Sequence, residues 1–197
     1  RLAIYGVRGY LSLTRRQDLG GGINFKARLP QDKYPCGISV GDPGLLSDML
    51  LEKTPRKKYS LGIVPHYIDK NIDVFGELNK NIKNSVIIDI ESEPVEFLLR
   101  LSECSAVIAS AMHALIAADS LGIPNIHILA SGNVSGGLYK YLDYYSALDI
   151  PHIYLSCERA LNLSANNGLI DYITSVCIRD YGKINDIRDN IIKTFPY

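Results

Sequence analysis

The sequence predicts an α/β fold, a parallel sheet with helices on both faces, and three observations carry that prediction. Short apolar runs rich in β-branched residues alternate with segments of helical pattern along most of the 197 residues. The runs are four to seven residues long and are separated by roughly 10–15 residues, the length a crossover helix needs. Several, "VIIDI" and "AVIAS" above all, are apolar on both faces, as strands lying between two helical layers must be.

Taken in order, "LAIYGV" (2–7) reads as a strand and is followed by a helix-like "YLSLTRRQDL". "LGGGINFKARLPQDKYP" (19–35) reads as a loop. "GISV" (37–40) precedes the helical "PGLLSDMLLEK", and "YSLGIVP" (59–65) precedes "KNIDVFGELNKNI". "SVIIDI" (85–90) precedes "PVEFLLRLSEC", "SAVIAS" (105–110) precedes "AMHALIAADSL", and "NIHILA" (125–130) precedes a tyrosine-rich segment. Asp42-Pro43 and Glu93-Pro94 place an acidic residue before a proline at a first helical position. Ser110 is positioned to cap its helix, and Gly122 with Pro124 to stop it. From about residue 156 the chain reads as two or three amphipathic helices that pack back across the sheet. The expectation is a single α/β domain over 1–197 with that helical extension. Because Arg1 runs straight into a strand, residues upstream of it are expected.

Composition narrows the function classes. Hydrophobic residues make up 47% and charged residues 21%, with zero formal net charge. Nucleic-acid binding through overall charge is therefore not expected. No apolar run reaches the roughly 18 residues of a membrane span, and no signal peptide is expected from the opening residues. Cys36, Cys104, Cys157 and Cys177 show no CxxC spacing, which argues against a disulfide framework or a metal site and for reduced thiols in the cytoplasm.

In an open parallel sheet, ligands bind outside the carboxyl ends of the strands. The residues there include Arg8, Gly41-Asp42, His66, Ser110-Ala111-Met112-His113 and Ser131. With Ser110 as N-cap, His113 would be the third residue of a mostly small, apolar helix. That helix start is either the edge of a packed core or a place for a phosphate or carboxylate with an imidazole beside it. Arg8 follows a buried strand, where its guanidinium would grip an anion or form a surface ion pair. His66 is either a loop histidine bonded to backbone or a site residue. Asp42 reads first as a cap. "GNVSGGLYKYLDYYSAL" (132–148), with Lys140, is either a substrate-facing flap or a stretch of aromatic packing. Arg56-Lys57-Lys58 reads as a solvated turn. No nucleotide-loop, nucleophile-elbow or metalloprotease motif occurs.

The segments "VGDPGLL", "GIVPHYID", "SECSAVIASAMHALIAADSLGIP" and "GGLYKYLDYYSAL", in this order, resemble the polysaccharide pyruvyl transferases from about Tyr5 to Ile150. The resemblance implies a Rossmann-like sheet forming one half of a GT-B fold. The chain looks like the C-terminal half plus the linker strand, without the N-terminal half. It implies transfer of pyruvate from phosphoenolpyruvate, the donor substrate, to a sugar as a ketal, with no further cofactor and no metal. The acceptor would be a sugar or lipid-linked oligosaccharide, met in the cytoplasm at the inner face of the membrane. Arg8 and His113 would bind the donor, His113 also serving as the acid. Ser110, Ala111, Met112, His66, Lys140, Asp42 and Gly41 would line the substrate. Members of that family often carry a serine or arginine and then a leucine before the histidine, where this chain has Ala111 and Met112, and Lys140 would replace the missing charge. The alternatives are a GT-B glycosyltransferase with a nucleotide-sugar donor, or a non-catalytic remnant of the fold.

Overall fold

The computed structural model describes residues 6–7 and 39–194. The expected helix at 10–19, the loop at 19–35 and Arg8 lie outside the described residues. The chain divides into two compact units, one of Gly44–Gly137 with Ile153–Ile178, the other of Arg1–Pro43, Leu138–His152 and Arg179–Tyr197.

The larger unit is a five-stranded, all-parallel sheet of β3 (Tyr59–Val64), β4 (Ser85–Ile87), β5 (Cys104–Ala109), β6 (Asn125–Leu129) and β7 (Tyr154–Ser156), in the spatial order β4-β3-β5-β6-β7. The order reverses between β3 and β5, whose register runs from Tyr59 opposite Cys104 to Val64 opposite Ala109. Helices cover both faces. Leu61, Ile63, Ile108, Ile126 and Ile128 point to one face and form a core with α1 (Asp73–Asn81), α5 (Cys157–Ala165) and α6 (Leu169–Val176). Residues of the opposite parity meet α2 (Pro94–Ser102) and α3 (Met112–Ser120).

Local chemistry sets the ends of these helices. Pro94 opens α2 behind Glu93, which makes no side-chain cap bond. At the far end of α3, the Ile123 N–H donates to the Ala118 carbonyl (2.8 Å) and the Gly122 N–H to Asp119 (3.2 Å). That paired closure needs a left-handed residue, and Gly122 has φ +67°. Lys57 does not belong to a simple solvated turn: its ammonium donates to the carbonyls of Ser102 (3.0 Å) and Cys104 (2.7 Å), where α2 ends and β5 begins. Lys58 pairs with Glu103. The segment after Asp42 forms a 3₁₀ helix, Pro43–Leu50, instead of an α-helix. β7 was not expected, because three residues carry no readable alternation.

In the smaller unit, β1 (Gly6–Val7) and β2 (Ser39–Val40) pair in parallel. It also holds α4 (Tyr139–Leu148) and α7 (Tyr181–Thr194). The first two helices of the expected C-terminal extension, α5 and α6, pack on the five-stranded sheet.

Candidate functional site

The strand-order reversal brings the ends of β3 and β5 side by side, and a crevice at such a reversal is where open α/β sheets bind ligands. Two bonds join the chain there. The Ser110 N–H extends the ladder to the Val64 carbonyl (3.2 Å), and the His66 N–H donates to Ser110 Oγ (2.9 Å). Ser110 therefore does not cap the helix that follows. The N-cap is Ala111, whose methyl accepts nothing, and no side-chain cap bond closes the start of α3. His113 is consequently the second helical residue, not the third.

Every residue of α3 is buried except His113. A helix that is apolar all round belongs inside, and its mostly small side chains let it lie close on β5 and β6. One exposed imidazole on an otherwise buried helix, within its first turn, is placed by the backbone and not by packing. Neither its ring nor its backbone N–H has a hydrogen-bond partner among the described residues.

His66 is half-buried and caps a 3₁₀ turn, Tyr67–Asp69: its Nδ1 accepts the Ile68 N–H (3.3 Å). This is the backbone-bonded arrangement, and it leaves the proton of the neutral ring on Nε2. Asp69, fully buried at the end of the turn, accepts the Ser131 hydroxyl on Oδ1 (2.6 Å) and so ties the loop after β3 to the loop after β6. Its Oδ2 is buried with no hydrogen-bond partner. Sequence reasoning passed over Asp69, since nothing local to "PHYID" announces a partner 62 residues away.

The other candidates fall in the smaller unit. Gly41 lies against α7, where an added Cβ would collide with Ile187 and press on Ile191, so its small size serves packing. Asp42 is buried. The tyrosine-rich segment is helical: Tyr141, Tyr144 and Tyr145 are buried, and His152 stacks on the rings of Tyr141 (5.4 Å) and Tyr145 (5.2 Å). Lys140 holds its ammonium 5.3 Å from the Tyr141 ring centre, and Arg179 lies 5.3 Å from that of Tyr145. Burial pushes the His152 imidazole down to about 4.

Ser110, Ala111, Met112, His113 and His66 therefore come together at one junction of the larger unit. Chemically, that junction offers backbone N–H groups at the positive end of a helix, with an exposed proton-transfer group beside them. Anions with a titratable leaving or accepting group suit it.

A family model described as polysaccharide pyruvyl transferase matches residues 27–132, just over half of the chain. An uncharacterised protein of Acanthamoeba polyphaga mimivirus is 31% identical over 122 residues, which cover 60% of this chain and 42% of that protein. The chain thus spans less than half the length of that relative. No solved structure matches.

Proposed function

The chain belongs to the polysaccharide pyruvyl transferase family, and from that premise we propose that it moves pyruvate from phosphoenolpyruvate to a sugar as a ketal, with the donor held at the β3–β5 junction. The observation that carries this reading is the exposed His113 in the first turn of the otherwise buried α3. A phosphate takes the N–H groups of that turn, and the helix dipole favours its charge.

In the reaction, an acid gives a proton to the methylene carbon of phosphoenolpyruvate, and C2 becomes oxocarbenium-like. A sugar hydroxyl adds to C2, phosphate departs, and a second hydroxyl closes the ketal. His113 is the acid in this reading, since an imidazole can give and take a proton near neutral pH. Ser110 and His66 set the junction's shape, Ala111 and Met112 its backbone.

Thermal-shift titration decides between donors. Phosphoenolpyruvate should raise the melting temperature, and UDP or CMP should not; stabilisation by the nucleotides alone would overturn the proposal in favour of a nucleotide-sugar glycosyltransferase.

A further inference from the structure

A groove lies along α1 and β4, the edge strand of the five-stranded sheet, and no step above uses it. Its volume is about 400 Å³, inside the ~300–1,000 Å³ typical of small-ligand sites. Phe75 and Pro65 are buried and Ile72 half-buried, which gives an apolar bottom, while Ile87 stands 45% exposed at the edge. Gly76 and Glu77 each lie three or four residues from both Asp73 and Lys80, so the four share one stripe of α1.

The polar groups here are ready for a ligand. Asn71, Asp73, Glu77 and Lys80 are exposed, and no hydrogen bond or ion pair holds their side chains among the described residues. Lys70 differs, because its ammonium is already bound by Asp89 (3.0 Å) and Glu91. Lys70 and Lys80 stand against Asp73 and Glu77 in the lining, two ammonium groups to two carboxylates, and Lys70 is already neutralised by Asp89 and Glu91 from outside it. That balance offers an anion no net attraction. An apolar bottom under mixed donors and acceptors instead suits a pyranose, whose C–H face covers the bottom while its hydroxyls meet carboxylate, amide and ammonium.

We infer that this groove binds an uncharged saccharide and, resting on the reading above, that it is where the acceptor sugar docks. Pro65 links the two places, lining the groove and preceding His66 directly. Gly76 keeps the groove open, since a Cβ there would meet nothing within 4 Å.

The test is amide chemical-shift mapping of the full chain with lactose and maltose as probes. We expect shifts at Asn71, Gly76 and Ile87 with a Kd of order 1–10 mM. Gly76→Leu should fill the groove and weaken both sugars at least ~10-fold. It should melt no lower than the parent, because a glycine leaves a helix interior. If it fails to fold, Asn71→Ala, an exposed change, should weaken binding severalfold. Phosphoenolpyruvate should shift the Ala111–His113 amides in parent and Gly76→Leu alike. If it moves none of them, the donor reading fails while the saccharide groove is judged by its own amides. If phosphoenolpyruvate binds but neither sugar moves the groove amides, or Gly76→Leu and Asn71→Ala bind both at parent affinity, the inference is overturned. Shifts there with UDP in place of the sugars overturn it too.

Discussion

The backbone N–H of His66 donates to the hydroxyl of Ser110, 2.9 Å away, and this bond joins the two loops that leave the sheet where its strand order reverses. Ser110 is 1% exposed, so its hydroxyl is a fixed part of the floor on which the first turn of α3 stands. Ser110→Ala removes the acceptor and leaves the His66 N–H short of a partner. The expected cost is about 1–2 kcal/mol of stability, read from the urea midpoint, with weaker phosphoenolpyruvate binding. An unchanged midpoint together with unchanged binding would show that the junction does not depend on this bond.

His113 is exposed and unpartnered among the described residues, so His113→Ala should leave the unfolding midpoint where it is. The rate of phosphate release from phosphoenolpyruvate with acceptor should fall by ~10²–10⁴, the usual worth of a general acid. Normal turnover in this variant would transfer the acid role elsewhere.

Gly62 in β3 has no room for a side chain. An added Cβ would sit 2.8 Å from the Cys104 sulfur and 3.3 Å from its Cβ. Gly62→Ala should therefore destabilise by about 1–3 kcal/mol through overpacking. Adding Cys104→Ala removes the obstructing sulfur, so the double variant should be more stable than the sum of the two single changes predicts. Strict additivity in chemical denaturation would refute the clash. Burial also pushes the Cys104 thiol up to about 12, and it should resist thiol reagents at pH 8 until the protein unfolds.

His152 gives the smaller unit an acid sensitivity. The unfolded chain takes up this proton near 6.5 and the folded chain only near 4, because burial opposes the charge. Across that window the unfolded state binds more protons, so stability is complete above about 6.5 and declines as the pH falls toward 4. The ring keeps some exposure, which holds the expected loss to about 1–2 kcal/mol. His152→Phe retains a flat ring against Tyr141 and Tyr145 and should flatten the melting profile over those pH values. A profile unchanged by this substitution would remove His152 as its source.

Much of the frame was legible along the chain. Strands β3 to β6 came from short β-branched runs, and α1 to α3 from the helical spacing between them. Pro94 and Gly122 mark helix ends through backbone chemistry that needs no distant partner. The candidate site was legible in outline, since carboxyl ends of strands follow directly from strand positions. The reading of Ser110 as a cap did not survive, because capping competes with a backbone donor 44 residues earlier that local sequence does not reveal. Lys57 misled in the same way: its charge suggested solvent, but two carbonyls lie within reach once α2 and β5 are packed.

Sequence alone determined the parallel α/β class, the order of the elements and the place of His113 near a helix start, because hydrophobic period and turn chemistry act over a few residues. Tertiary structure decided which strands are neighbours, that His113 is the exposed residue of α3, that Asp69 reaches Ser131, and that the tyrosines close around His152. Those outcomes depend on contacts between distant segments, and such contacts form only when apolar faces pack and buried polar groups must find partners.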